Sequence, residues 1–224
     1  MRFRLQPKRV LRRVLLVLAA FYGFIALSLL ALRFLDPPTT ALQAEHRVES
    51  WFSKGSYRMR YRFVPLNRIS PALQHAVIAA EDGRFYQHSG FDWQQIQDAI
   101  EDEQEGKRLR GASTITQQLV KNLFLTARGS FLRKGVEASI VPLAELILGK
   151  RRILELYLNV IEWGPGVYGA EAAAQYHYRT TAFAIGRDSA ARLAAILPDP
   201  IRRRPARMDR YSAIILERMA LMGW

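Results

Sequence analysis

The pattern of apolar and polar positions divides the chain into one long uncharged segment and a series of short amphipathic ones. Val14 to Leu32 holds 19 residues and no charge. As a helix it spans roughly 28 Å, close to the hydrocarbon thickness of a bilayer. It is longer than the apolar region of a cleaved signal peptide, and Ala31-Leu32-Arg33 offers no small-residue cleavage site. It therefore reads as an uncleaved signal anchor over 14–35. Asp36-Pro37-Pro38 then opens a juxtamembrane linker, 36–63, in which no clear period is read beyond a candidate hairpin near 57–64.

Beyond it the spacing is helical. Ser70 and Pro71 form an N-cap and a first helical position, with Leu73, Ala76, Val77 and Ala80 on one face and Gly83 as the stop. Trp93, Ile96 and Ile100 mark a second helix that ends in acids, and a basic loop follows over 106–111. Thr114 and Gln117 have capping-box spacing at the start of a third. A fourth begins near Phe131, and Pro142 is expected to end or kink it. Further helical patterns cover 152–160, 169–178, 190–197 and 210–222. The expectation is a mainly α domain, 64–224, behind one transmembrane helix.

Charge adds orientation. Arg2, Arg4, Lys8, Arg9, Arg12 and Arg13 supply almost half of the net charge of +13, and no acid opposes them. Such a cluster keeps residues 1–13 in the cytoplasm. The domain is then expected on the far side of the inner membrane, in the periplasm, which argues against nucleic acid as its partner. The chain has no cysteine, so disulfide and thiolate chemistry are excluded.

Three runs carry candidate chemistry. The first, Ala79-Ala80-Glu81-Asp82-Gly83-Arg84-Phe85-Tyr86-Gln87-His88, sets two acids at a helix end. The negative pole of the helix and the neighbouring Asp82 both disfavour charge on Glu81, which raises its pKa towards that of a general base. Two solvated acids at a terminus would look the same. The second, Gly111-Ala112-Ser113-Thr114-Ile115-Thr116-Gln117-Gln118, opens a helix whose free N–H groups suit phosphate; capping alone accounts for Ser113 and Thr114 but not for the paired glutamines. The third, Arg133-Lys134-Gly135-Val136-Glu137, places two cations three and four residues from an acid. Spacing does not separate a surface salt bridge from a phosphate site there.

In this order the three runs resemble family 51 glycosyltransferases, the enzymes that polymerise lipid II into peptidoglycan strands. Lys150-Arg151-Arg152-Ile153-Leu154-Glu155-Leu156-Tyr157-Leu158-Asn159 and Gly166-Val167-Tyr168-Gly169-Ala170-Glu171 are similar to the remaining family motifs and read as scaffold. Glu162-Trp163-Gly164 resembles the monofunctional proteobacterial branch, and no Ser-x-x-Lys or Lys-Thr-Gly run announces a penicillin-binding transpeptidase. The resemblance implies a lysozyme-like fold and transfer of a lipid-diphosphate-linked glycan to the 4-hydroxyl of an acceptor lipid II. It implies Glu81 as catalytic base and Glu137 as second essential carboxylate. Asp82, Ser113, Thr114, Gln117, Gln118, Lys121, Arg128, Arg133 and Lys134 inherit substrate binding, the cations at the diphosphate. No cofactor is certain; a divalent cation (Mg or Mn) beside the diphosphate and partners among cell-wall synthesis or division proteins are left open. The chain departs from the family at Arg128-Gly129-Ser130, where the arginine stands one residue early, and at Gly149, where serine is common. His88 reads as a structural hydrogen-bonder. A wall-degrading glycosidase on the same fold has no use for the cation cluster, and a non-enzymatic scaffold would tolerate loss of Glu81.

Overall fold

The computed structural model describes residues 7–52, 58–105, 113–126 and 129–224. Arg128 and the basic loop over 106–111 lie outside the described residues. Helix α1 (Pro7–Phe34) is followed by α2 (Ala41–Phe52), strand β1 (Arg60–Tyr61), α3 (Pro71–Glu81), α4 (Trp93–Gln104), α5 (Ile115–Phe124) and α6 (Phe131–Val160). Strands β2 (Glu162–Gly164) and β3 (Val167–Tyr168) lead to α7 (Ala170–Tyr178), α8 (Arg187–Ile196) and α9 (Asp209–Leu221).

Side-chain caps set the helix starts. Ser70 Oγ accepts the Leu73 N–H at 3.2 Å and donates to the Ile185 carbonyl, so one hydroxyl both starts α3 and ties it to the segment before α8. Asp92 caps α4, Thr114 caps α5 and Ser130 caps α6. The core forms where α3 packs on α8 and α9 and where α5 packs on α6. Leu73, Ile78, Ile115, Leu119, Ile140 and Leu156 are sealed within it. Leu123 is buried there and Phe124, half-buried, packs against it.

The structure corrects three expectations. Residues 41–52 form a helix rather than patternless linker, started by a reciprocal cap in which Thr40 and Gln43 each accept the other's backbone N–H. Pro142 does not stop α6. It lies on the exposed face while Val141 and Ala144 are fully buried, and that packing carries the helix past the missing bond. The break comes at Gly149, with φ 71° and ψ 160°, a conformation open to glycine. The hairpin belongs to 162–168 instead of 57–64: β2 pairs antiparallel with β3, and β1 adds parallel on the other side, Tyr61 opposite Tyr168. At Gly169 a Cβ would stand 2.6 Å from the Asn159 carbonyl oxygen, so glycine lets the chain leave β3 against the end of α6. Asn159 itself brackets Val64, accepting its N–H and donating to its carbonyl at 2.9 Å each.

Helix α1 is long and apolar enough to cross a membrane, with a mean hydropathy of 2.6. It is more than a leash. Its second half runs alongside α6 in the same sense: the Tyr22 hydroxyl donates to Ser139 at 2.8 Å, Arg33 donates to the Ile147 carbonyl, and Arg152 donates to Leu32 and Leu35 carbonyls and pairs with Asp36. Ile25 and Leu29 are buried in this contact. Deleting residues 1–35 removes both side chains, each worth about 1.5–3 kcal/mol when fully buried. The expected outcome is a clear drop in melting temperature in detergent, measured by circular dichroism, whereas deleting residues 1–20 leaves the melt near that of the full chain.

Candidate active site

Helix α3 ends at Glu81, and the extended backbone of Asp82 (φ −158°, ψ 71°) turns the chain away. The two neighbouring carboxylates then part company. Asp82 is 0% exposed. One of its oxygens meets His88 Nε2 at 2.9 Å, and the other accepts the Ile115 N–H at 2.9 Å. The Gly90 N–H donates to His88 Nδ1, so the imidazole carries its proton on Nε2 and donates it to Asp82. Asp82 thereby pins the start of α5 to the end of α3. Burial raises its pKa, and the bonds from His88 and Ile115 oppose that rise.

Glu81 is only partly buried and faces a cleft of about 1260 Å³. Gln118 Nε2 donates to its Oε2 at 2.8 Å. Its pKa is raised, chiefly by burial; the Gln118 bond and the charges of Lys121 and Arg203 pull it back. The cause differs from the one anticipated, because the charge of Asp82 is the smallest contributor.

The second run divides its labour. Thr114 and Gln117 are buried and spend their side chains on each other in the capping box. Gln118 instead bridges Glu81 and the Tyr157 hydroxyl, which donates to its Oε1 at 2.9 Å. Ser113 lines the cleft and accepts a hydrogen bond from Lys134 Nζ at 3.4 Å.

On α6, Glu137 is only 2% exposed and sits between two cations: Arg133 reaches its Oε2 at 2.9 Å and Lys134 its Oε1 at 2.5 Å. Lys121, one turn beyond Gln117 on α5, approaches the same group. Burial pushes its pKa down, as do the charges of Arg133 and Lys134, while Glu137 and Glu81 pull it up. Lys121 thus senses both carboxylates. Arg133 Nε is buried with no hydrogen-bond partner among the described residues, so the guanidinium has a donor left over.

The far wall of the cleft was not legible in the motifs. Asp98 and Asp102 face it from α4, and Arg203, Tyr211 and Arg218 from the segment around α9. Arg203 donates to the Ala195 carbonyl at 2.9 Å and lies over the Tyr211 ring at 5.7 Å. A run of three arginines, Arg202 to Arg204, was the only hint in the sequence, and a run does not say which member turns inward.

Asp82, His88 and Asp92 are the one group among the described residues with ligand atoms close enough to share a metal ion. Protein donors already engage all three residues: Arg84 holds Asp92 by two bonds at 2.8 and 2.9 Å, and Gln95 N–H adds a third. The set is a structural network and does not fit a resident cation. Glu137, engaged by Arg133 and Lys134, fits one no better.

A family model described as transglycosylase matches residues 48–220. A biosynthetic peptidoglycan transglycosylase of Pseudomonas syringae pv. syringae (strain B728a) is 49% identical over 191 residues, 85% of this chain and 81% of that protein. Relatives with the same description in Ectopseudomonas mendocina (strain ymp) and Pseudomonas entomophila (strain L48) are 46% and 48% identical, over 95% and 92% of this chain. The matched region takes in the helices that build the cleft and both carboxylates. With its mainly α, lysozyme-like domain behind one apolar N-terminal helix, the chain belongs to the transglycosylase family.

Proposed function

We infer that the chain is a membrane-anchored peptidoglycan glycosyltransferase that extends glycan strands from lipid II. One observation carries the reading. A partly buried carboxylate with a raised pKa, Glu81, and a cluster of three cations, Lys121, Arg133 and Lys134, converge from α3, α5 and α6. Glu81 takes the proton from the acceptor 4-hydroxyl as that oxygen attacks the anomeric carbon. The bond to the lipid diphosphate breaks, and the cations receive the charge that develops there. Glu137 holds Arg133 and Lys134 in place. Asp82 serves the site by fixing α5 against α3; Thr114 and Gln117 serve it by capping, and Ser113 and Gln118 contact substrate at the cleft wall. Arg128, displaced by one residue from the family position, is assigned to the same diphosphate.

The N-terminus lies in the cytoplasm and the domain on the opposite face of the inner membrane. The N-terminal turn of α6 is apolar as well as cationic. There Phe131 is 99% and Leu132 80% exposed. They form an exposed apolar pair next to Arg133 and Lys134, suited to contact lipid beside the cation cluster. Proteins of cell-wall synthesis or division are the expected neighbours.

The deciding experiment incubates the purified full-length protein with lipid II in detergent and looks for polymeric glycan. Glu81→Gln should abolish polymer. It should also melt at or above the parent temperature. The folded protein holds the Glu81 proton more tightly than the unfolded chain, so it loses stability as pH rises from the unfolded carboxylate value through the raised folded one. An uncharged amide removes that loss. Polymer at the parent rate from folded Glu81→Gln, or cleavage of preformed strands in place of synthesis, overturns the reading.

Lys134→Ala is expected to lower kcat about 100-fold or more, as for removal of a donor to developing charge. Full activity with a small change in melting temperature would mark the Lys134–Glu137 pair as a plain salt bridge. Replacing Phe131 and Leu132 together by serine should slow polymerisation on anionic vesicles about tenfold or more while leaving the rate in detergent unchanged. An equal loss in both media would mean that these side chains support the fold.

A further inference from the structure

We propose that Tyr157 is a positioning residue for the base: its hydroxyl fixes the Gln118 amide so that the N–H, and never the carbonyl, faces Glu81. This rests on the functional reading above and adds a residue that the sequence presents as simple core.

The geometry is a three-membered chain across three helices. The Tyr157 hydroxyl on α6 donates to Gln118 Oε1 at 2.9 Å, and Gln118 Nε2 on α5 donates to Glu81 Oε2 at 2.8 Å at the end of α3. The same amide nitrogen lies 3.5 Å from the Ser113 carbonyl. An amide has two faces, and its flipped form would set an oxygen against the carboxylate. A hydroxyl also has two modes, since it can accept as well as donate. What removes the ambiguity is burial. The buried Tyr157 hydroxyl must give its proton to an acceptor, Gln118 Oε1 is the one it has among the described residues, and the amide is thereby held with its nitrogen toward Glu81. Tyr157 is fully buried and keeps its proton, because burial and the charges of Glu81 and Asp82 push its ionisation well above the ordinary range. The backbone of Gln118 is fixed as well, bonded through its N–H to Thr114 and through its carbonyl to Asn122. Only the amide rotation is left for Tyr157 to set.

The charged groups that face Glu81 come from every side. They are Asp82 next in the chain, Lys121 from α5 and Arg203 from the segment between α8 and α9. Arg218 of α9 donates to the Ala79 carbonyl two residues before it. None of these is altered by removing the Tyr157 oxygen. Without that hydroxyl the amide is free to turn, the bond to Glu81 is made only part of the time, and the proton leaves Glu81 at higher pH. The acid limb of kcat/KM, which reports the base in the free enzyme, moves up with it.

The test compares the full-length parent, Tyr157→Phe, Gln118→Leu and the double variant in detergent. kcat/KM on lipid II is followed from pH 5 to 9, with a melt for each. In parallel, the carboxyl of Glu81 is titrated without substrate by infrared difference spectroscopy, using Glu81→Gln to identify its band. Tyr157→Phe should raise the limb and the carboxyl titration together by about half a unit to one unit, the scale of one hydrogen bond to a carboxylate. Gln118→Leu should raise them at least as far, and the double variant no further. A Tyr157→Phe titration that coincides with the parent's overturns the proposal. So does a shift that persists undiminished on the Gln118→Leu background. If Tyr157→Phe fails to melt cooperatively, Gln118→Leu decides alone: an unmoved carboxyl titration there removes the link. Absence of polymer from the parent would sink the functional reading, and the substrate-free titration would still test the chain.

Discussion

As the proposed base, Glu81 has to keep its charge in a partly dry cleft, and much of the structure bears on that requirement. Burial alone drives Glu81 toward its neutral form, in which it takes no proton. Full solvation would leave it too weak a base. The fold sets a middle course by supplying one hydrogen bond, from Gln118, and cations at a distance, Lys121 and Arg203. The neighbouring Asp82 is treated in the opposite way. It is sealed off and bonded on both oxygens, so its charge is consumed in joining α3 to α5. Two adjacent acids of nearly the same chemistry thus acquire different tasks because the chain turns between them.

The cations obey a second constraint. In the proposed diphosphate site Arg133 and Lys134 have to be in place beforehand, yet long side chains carry about 2 kcal/mol of rotamer entropy when free. Glu137 restrains them. It is buried and paired with both, so the fork and the ammonium are already oriented. Exposed pairs three and four apart on a helix add little stability. In the proposed site the value of this pair lies in preorganisation, which is what transition-state stabilisation by fixed donors needs. An anion entering the site meets cations only partly neutralised, since one acid is shared among Arg133, Lys134 and the nearby Lys121.

Most of this was legible where a local rule is also the physical cause. Ser70-Pro71, Thr114 with Gln117, and the apolar face of Leu73, Ala76 and Val77 are local, and the helices begin where those signals stand. Residues 41–52 carried comparable signals, a Thr40–Gln43 cap and apolar positions at Ala44, Val48 and Trp51. They were hidden by the preceding Pro37-Pro38, which reads as linker. Pro142 misled for a different reason: tertiary burial of Val141 and Ala144 outweighs one lost hydrogen bond. At the site, the third run announced charge but not its burial, and the second did not disclose that Gln117 and Gln118 point to different tasks. Tyr157 was hardest. Its sequence environment is a stripe of leucines, and the hydroxyl acquires meaning only when α5 is laid against α6.

The same laying together explains why an anchor helix is part of the domain. Helix α6 carries the cation cluster at its N-terminal end, the α5 contact along its buried face, and Tyr157 beyond the Gly149 kink. Helix α1 packs along it, with Arg152 and Arg33 binding backbone carbonyls across the contact. A flexible leash would let the cleft wander above the bilayer at every angle. A packed anchor restricts the motion of the cleft relative to α1. On the proposed reading, confinement of cleft and lipid-linked substrate to one surface lowers the entropy lost at each encounter. On that reading the α1–α6 contact serves the proposed catalysis as well as the fold.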